Sequence, residues 1–296
     1  MTPNPSLRGL PSAAAEFQRQ ASAMPGNRIT ILHDSFGKRP ELRKEWGFAA
    51  LVEFGGKRIL FDTGNSARTF AQNTESLGID LRALDFAAIS HRHGDHTSGL
   101  NHLFKINPGI TVYTPDETYG VFGSSLPGIF YPRCHSLPLY MQYYDGKPPE
   151  TIRHGTPWPE TKFVWIRETT EIVPDVWLVA VVSETPGTRE MRELSLALRT
   201  PRGLILVAGC SHPGIENILA ASRAIEQRVH CIFGGLHLVL TKEPEIQRVA
   251  KALRDEWRVE RIAPGHCTGE PAFLALSKVF EGKYVFAGLG DTVDLP

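Results

Sequence analysis

Short apolar runs alternate with amphipathic helical patterns from residue 29 onward, and this alternation is typical of an α/β domain. The apolar runs bounded by Gly, Asp or Pro predict strands at residues 29–34, 48–54, 58–62, 86–90, 110–113, 176–182, 194–198, 204–208, 229–233, 261–263 and 284–287. Apolar positions at helical spacing predict helices at about 67–77, 97–106, 215–228, 244–255 and 271–280. We therefore expect a sheet-based core that is covered by helices.

Two segments of the chain share one order of elements. In the first, a hairpin that turns at residues 55–56 leads through residues 62–64 and a helix to a strand that ends at His91. In the second, a hairpin that turns at residues 201–203 leads through a helix to a strand before His237. Two similar ββαβ halves, packed sheet against sheet, would bring their polar strand ends to a common edge. Chance similarity of two α/β segments is the alternative.

The character of the chain changes between residues 121 and 166, where prolines and aromatic residues occur without a clear period. A loop of this length in a compact domain is usually a lid, a binding surface or disordered, and the aromatic residues argue against disorder. We expect one domain over residues 27–296 with a lid-like insertion at about 121–166; an oligomer contact is the alternative. Residues 1–26, rich in Ala, Ser and Pro, are interpreted as a loose N-terminal arm.

The charge balance is neutral, with 32 Lys and Arg residues against 32 Asp and Glu residues. This balance argues against nucleic acid or an anionic membrane as the main partner. The sequence contains neither a secretory signal pattern nor an apolar run long enough for a membrane span. Its four cysteines are far apart, which favours a reducing compartment. We expect a cytoplasmic protein that acts on a small molecule, and a homodimer remains open.

Four metal-binding residue types follow the predicted strand at 86–90 directly: His91, His93, Asp95 and His96. Their nitrogen and oxygen donors are of the kind that zinc, iron or manganese take. In a turn that leaves a strand, His91 and His93 can converge on one ion while Asp95 and His96 point at a second ion. The sequence therefore predicts a metal centre at the end of this strand.

This HxHxDH motif, preceded by an apolar hairpin that ends in Asp-Thr-Gly at residues 62–64, resembles the metallo-β-lactamase superfamily. Residues 209–215, 233–238 and 264–269 are similar to one subgroup, the 7,8-dihydropterin-6-yl-methyl-4-(β-D-ribofuranosyl)aminobenzene 5'-phosphate synthase-like metal-dependent hydrolases. The resemblance covers nearly all of residues 29–287. It implies a four-layer αββα sandwich with a metal centre at the sheet edge, in agreement with the internal repeat.

The resemblance also implies a set of metal ligands. His91 and His93 match the ligands of the first metal, whereas Asp95, His96 and His266 match those of the second metal. The nitrogen-rich set favours zinc, most simply as two ions in a binuclear centre, with manganese or iron as alternatives.

The chain departs from the superfamily pattern at two places. Many members carry a histidine after a Thr-Pro-Gly turn, but here that turn is followed by Thr188, so His212 is the best substitute as third ligand of the first metal. A supporting or substrate-contacting role is the alternative for His212. The acidic residue that often bridges the two metals is replaced by Gly209 and Cys210. The Cys210 thiolate could ligate a metal, although a small buried cysteine is the commoner fate.

Further polar residues are expected near this edge. Asp62 is interpreted as orienting a ligand histidine through its ring N–H, with direct metal ligation as the alternative. His237 occupies in the second half the place of His91 in the first, and a structural role is its alternative. The last group comprises residues that could contact an anionic part of the substrate: Arg92, Ser211 and Thr268.

These observations predict a hydrolase that uses metal-bound hydroxide on a small ester, lactone, amide or phosphoester. Asp95 would hold the hydroxide and take its proton, and His237 would protonate the leaving group. One alternative is an iron-dependent redox enzyme on the same fold; another is a non-catalytic metal-binding protein.

Overall fold

The computed structural model describes residues 26–116, 124–154 and 163–296. The expected N-terminal arm, apart from residue 26, lies outside this range, as do parts of the predicted insertion. The strands are β1 Arg28–His33, β2 Ala49–Phe54, β3 Lys57–Phe61, β4 Phe86–Ala88, β5 Thr111–Pro115, β6 Ser124–Pro127, β7 Thr151–His154, β8 Val164–Ile166, β9 Thr170–Val173, β10 Val176–Val182, β11 Arg192–Thr200, β12 Gly203–Ala208, β13 Val229–Gly235, β14 Arg261–Gly265 and β15 Thr292–Asp294.

The α-helices of the described residues are α1 Ala67–Ser76, α2 Gly94–Thr97, α3 Leu100–Ile106, α4 Ile215–Ser222, α5 Glu243–Asp255 and α6 Glu270–Phe280. Short 3₁₀ turns occur at Leu81–Ala83, Leu139–Met141, Tyr143–Gly146, His266–Thr268 and Glu281–Lys283. Every helix in this part of the chain is too short or too polar to traverse a lipid bilayer.

Two mixed sheets form the centre of the fold. The first has the strand order β15-β1-β2-β3-β4-β5-β8 and the second the order β14-β13-β12-β11-β10-β9. Within each sheet a hairpin, β2–β3 or β11–β12, continues into a parallel strand, β4 or β13. The helices α1 and α4 connect these parallel pairs, so the ββαβ repeat predicted from the sequence is present in the topology.

The central strands β2 and β12 are buried on both faces, and the pleat sends their alternate side chains to different layers. In β2, Ala50 and Val52 face the space between the sheets, whereas Leu51 packs under α1 and α3. In β12, Val207 faces the other sheet and Leu206 packs under α4 and α5. The protein is therefore the four-layer αββα sandwich expected from the resemblance.

The turn between β2 and β3 shows how the sequence sets the register of this repeat. Gly55 and Gly56 have φ angles of 57° and 75°, which are the left-handed values that a two-residue type I′ hairpin turn requires. The resulting pairing sets Glu53 opposite Arg58 and Ala50 opposite Phe61.

One predicted strand and two predicted helices differ from the structure. The strand at 284–287 is wrong: only Tyr284 bridges to β14, and Phe286 packs against aromatic rings instead. The helix at 97–106 is interrupted near Gly99, where a Cβ would overlap the carbonyl oxygen of Thr63. The helix at 215–228 ends at Ser222, where the chain turns. Strands β6–β9 and β15 were not predicted, because they are short and lack a clear apolar period.

The core between the sheets should respond to truncation of a single side chain. Leu196 in β11 is fully buried there, so we expect Leu196→Ala to lower the free energy of unfolding by about 2–5 kcal/mol. The matched control is Leu240→Ala. The Leu240 side chain is 67% exposed, so this substitution should change the free energy of unfolding by less than about 0.5 kcal/mol. Urea unfolding followed by circular dichroism measures both, and equal effects would contradict this assignment of the core.

Candidate metal centre

The sheets bring polar loops from their carboxyl-terminal strand ends to one edge. In the first sheet Asp62 follows β3 directly, and residues 91–96 run from the turn after β4 into α2. In the second sheet the loops after β12, β13 and β14 carry residues 209–212, His237 and His266. All these histidines except His93 and His237 are buried, so the site is a desolvated cluster of potential ligands.

His91, His93 and His212 form one group of potential metal ligands. One ligand atom from each lies within 4.8 Å of the others. His91 Nε2 is 3.1 Å from His93 Nδ1, and the His91 and His212 ring centroids are 4.6 Å apart. The substitute ligand suggested by the sequence, His212, is thus brought beside the two motif histidines.

Asp95, His96 and His266 form a second group within the same distance limit. Asp95 Oδ2 lies 3.6 Å from His96 Nε2 and 3.4 Å from His266 Nε2. Among the described residues, neither ring nitrogen of buried His266 has a hydrogen-bond partner. A buried imidazole without partners is costly unless a ligand satisfies it, so this group fits a cation.

The two groups are adjacent, and one histidine from each forms a third ligand group with Cys210. The His91 and His96 ring centroids are 4.1 Å apart, and Cys210 Sγ lies 3.2 Å from His96 Nε2. His91, His96 and Cys210 accordingly also form a three-residue ligand group. The thiol therefore occupies a place from which it could bridge two ions.

The electrostatics of the first group suit metal binding. Burial, reinforced by the neighbouring imidazoles, lowers the pKa of His91 well below its usual value and the pKa of His93 to about 3. Neutral imidazoles keep a lone pair for a metal, so protons compete little at these two positions. For His96 burial also lowers the pKa, but the carboxylates of Asp62 and Asp95 outweigh this effect and raise it to about 9.

Asp62 orients His96. Its Oδ2 lies 2.7 Å from His96 Nδ1, which leaves Nε2 turned toward Asp95 and Cys210. The same carboxylate accepts the N–H and the hydroxyl of Ser90, both at 2.7 Å. A carboxylate that binds the outer nitrogen of a ligand histidine fixes its tautomer and ring plane, as expected for Asp62.

Glu193 in β11 plays the same part for the other group, and sequence reasoning missed it. Its carboxylate accepts the backbone N–H groups of Cys210, Ser211 and His212 at 3.0, 2.6 and 2.8 Å, and it lies 2.9 Å from His212 Nδ1. These bonds outweigh the effect of burial, which alone would raise the pKa of Glu193, and lower it to about 2. The available signal was a carboxylate in an otherwise buried apolar strand.

Four non-glycine residues at this edge adopt left-handed backbone angles. The φ angles are 58° at Asp62, 66° at Ser211, 52° at His237 and 45° at His266. Each residue directly follows a strand or lies in the loop after it. Such conformations cost about 1–3 kcal/mol and cluster at functional sites, so their grouping here is independent support for a site.

The remaining predicted residues divide by exposure. His237 is exposed at the rim, and its ring centroid is 4.3 Å from that of His212. Arg92 is half-buried beside the motif histidines. The hydroxyls of Ser211 and Thr268 are buried and bound to backbone, and their contact with a substrate stays a prediction. Ser211 donates to the Gly235 carbonyl at 2.7 Å, and Thr268 accepts the N–H of Leu236 at 3.0 Å.

Part of the predicted insertion packs against the loop of His266. Tyr143 is fully buried; its hydroxyl donates to the His266 carbonyl and accepts the Gly269 N–H at 2.9 Å. Glu270 accepts the N–H groups of Tyr143 and Cys134, which ties this segment to the start of α6. The ring of Trp46 lies 4.9 Å from those of both His266 and Phe130, forming an aromatic wall beside the second group.

Comparison with known proteins gives a consistent answer. Residues 57–155 match the family model of a beta-lactamase superfamily domain. A solved structure, Tm1679, described as a metal-dependent hydrolase of the beta-lactamase superfamily, is 29% identical with a TM-score of 0.68, covering 91% of this chain and 99% of that one. The chain is therefore similar, over most of its length, to a metal-dependent hydrolase of the beta-lactamase superfamily.

Two further proteins are similar to this chain. One is the 7,8-dihydropterin-6-methyl-4-(beta-D-ribofuranosyl)-aminobenzene-5'-phosphate synthase of Methanocaldococcus jannaschii, which is 28% identical over 268 residues, 81% of this chain and 86% of the relative. The metallo-beta-lactamase fold protein YhfI of Bacillus subtilis is 12% identical with a TM-score of 0.55, covering 90% of this chain and 98% of that one, and it shows shared fold alone.

The Thr-Pro-Gly turn at residues 185–187 lies against the backbone of His212. The hydroxyls of Thr185 and Ser183 donate to the His212 carbonyl at 3.0 and 3.1 Å, and Thr188 Oγ1 lies 2.9 Å from Ser183 Oγ. The turn that carries a histidine in many members therefore holds the backbone of His212 here.

A close approach at Gly209 generates one prediction. A Cβ at this position would overlap Ser90 Oγ and lie 2.9 Å from Asp62 Oδ2. We expect Gly209→Ala to lower the free energy of unfolding by about 1–3 kcal/mol and to weaken zinc binding. Gly109→Ala is the control, because a Cβ at that position would meet no atom within 4 Å. Urea unfolding and competition with a chelating dye measure the effects; indistinguishable variants would contradict this packing.

Glu193 generates a second prediction. In Glu193→Gln an amide replaces the carboxylate, and its NH2 group cannot accept hydrogen bonds from the surrounding N–H donors. Because His212 then loses its supporting carboxylate, we expect zinc affinity to fall about 10–100-fold. Glu184→Gln, at an exposed position, should keep wild-type affinity. Dye competition measures both, and an unchanged affinity in Glu193→Gln would show that the carboxylate does not support the ligand.

Proposed function

We propose that this protein is a metal-dependent hydrolase that acts on a small ester, lactone, amide or phosphoester. One observation carries the proposal: two adjacent three-ligand groups, one of imidazoles and one containing Asp95, meet at a single buried sheet edge. The description of Tm1679 as a metal-dependent hydrolase supports it.

We propose zinc as the cofactor, with one ion in each group. Five imidazoles and one carboxylate form a nitrogen-rich donor set that suits zinc. When bound, such ions supply a hydroxide nucleophile at neutral pH and polarise the bond under attack. His91, His93 and His212 would hold the first ion, and the second would lie among Asp95, His96 and His266.

Within this scheme, two side chains handle protons. Asp95 Oδ2 faces both His96 and His266, so its carboxylate can orient the attacking water and accept its proton. His237 lies at the exposed rim beside His212, where its imidazole can donate a proton to a leaving group. Burial of the surrounding loops excludes bulk water and strengthens these interactions.

The surroundings of the site guide the choice of substrate. Trp46 and Phe130 offer an apolar wall beside His266, and Arg92 offers a cation beside the motif histidines. The name of the synthase relative includes a dihydropterin and a phosphate. Together with the aromatic wall and Arg92, this favours a phosphorylated or planar substrate for first tests. We further propose that the insertion covers a small molecule and that the protein acts in the cytoplasm.

Removal of His96 tests the proposal. We expect His96→Ala to lower bound zinc and to reduce hydrolysis of p-nitrophenyl esters and bis-p-nitrophenyl phosphate at least tenfold, because the second group loses a ligand. His102→Ala is the control, since His102 is half-buried against Phe70, outside the ligand loops. Elemental analysis and absorbance assays measure both properties.

Two outcomes would contradict the proposal. Full hydrolysis by rigorously chelated protein would exclude a metal-dependent reaction. Visible iron bands with oxygen consumption, and no hydrolysis of any substrate in the panel, would favour redox chemistry on the same ligands.

A further inference from the structure

A second kind of ligand cluster lies beside the histidine groups. The strands β12, β13 and β14 are parallel neighbours in the second sheet. The loop after each strand carries one further residue with a metal-binding side chain: Cys210, His237 and Cys267. Because parallel strands end at the same edge, these three side chains come from different parts of the chain to one place.

The geometry of this trio meets the requirement for a common cation. Cys210 Sγ, Cys267 Sγ and a ring nitrogen of His237 all lie within 4.8 Å of one another. In a tetrahedral zinc site with Zn–S bonds of about 2.3 Å, ligand atoms are roughly 3.5–4 Å apart. Small side-chain adjustments therefore suffice to close the trio around one ion.

The backbone leaves room for this cluster. A Cβ at Gly235 would lie 2.8 Å from Cys267 Sγ and 3.1 Å from the Cys210 Cα. Only glycine at this position lets the two cysteines approach at the end of β13. Both thiols are buried, whereas His237 is exposed, so an ion could enter from the rim past the imidazole.

We propose that Cys210, His237 and Cys267 form a further metal site, for a thiophilic cation of the zinc class. Two sulfurs and one nitrogen are softer donors than the histidines and carboxylate of the neighbouring groups, so the site selects zinc over manganese or magnesium. Three protein ligands leave a fourth position open for water or another small donor. The proposal does not depend on hydrolysis, because metal binding is measured directly. When this site is occupied, His237 binds the cation and does not donate a proton to a leaving group.

Cys210 links this site to the histidine groups. Its sulfur is 3.2 Å from His96 Nε2 and also belongs to the Cys267 cluster. A thiolate can bridge two cations, so occupation of the further site would place a third charge beside the binuclear centre. Cys267 and His237, by contrast, are absent from the other ligand groups found among the described residues.

Cobalt titration tests the site without reference to activity. The chelated, chemically reduced full-length protein is titrated with Co²⁺, and bound ions and thiolate-to-cobalt absorption are recorded. We expect Cys267→Ser to bind one ion fewer per chain than wild type and to lose the thiolate absorption of that ion. The matched control is Cys231→Ser, another buried thiol, which lies in the inter-sheet core and should match wild type.

A second variant keeps the test decisive if Cys267→Ser fails to fold, which circular dichroism would reveal. His237→Ala changes an exposed side chain, and we expect it to lose the same ion and its thiolate absorption although both cysteines remain. Wild-type stoichiometry and unchanged absorption in both folded variants would overturn the proposal. Failure of hydrolysis in the wild type would leave these stoichiometries unaffected, so the two proposals fail separately.

Discussion

A cluster of imidazoles and carboxylates is desolvated at the edge where the two sheets meet. Imidazoles and carboxylates buried together are unstable unless each is hydrogen-bonded or bound to a cation. The protein meets this requirement with two paired carboxylates, Asp62 behind His96 and Glu193 behind His212. Each fixes the outer ring nitrogen, so the inner nitrogen is left for a metal.

The supporting residues follow from that constraint. Gly209 is small because Ser90 and Asp62 approach it closely, and the left-handed turn at Ser211 follows because the Glu193 carboxylate collects three successive N–H groups. On the opposite flank, Tyr143 fastens the loop of His266 through its carbonyl. Positions in separate layers of the sandwich thus serve the same cluster.

Much of the fold was predictable because its hydrophobic signals are strong and local. The two hairpins, the parallel strands that follow them and the glycine turn at residues 55–56 are all encoded in short stretches of sequence. The apolar residues 284–287 were wrongly predicted as a strand, because a segment that packs in an aromatic cluster can have the same composition as a strand. The break at Gly99 depends on contact with Thr63, which only the tertiary structure brings near.

The candidate site was predictable to the extent that its residues share a motif or follow a strand. Residues 91–96 stand together, and His212 and His266 follow strand ends, so their convergence could be expected. Glu193 was missed, because a single carboxylate in an apolar strand is usually a solvated position and is only a weak signal. Cys267 was overlooked because its proximity to Cys210 depends on β12 and β14 flanking β13.

Anomalous X-ray diffraction at the zinc edge, from crystals grown with zinc, would locate the bound ions. We expect one peak among His91, His93 and His212 and a second among Asp95, His96 and His266. Well-ordered crystals with these side chains in place and no anomalous density between them would contradict this expectation.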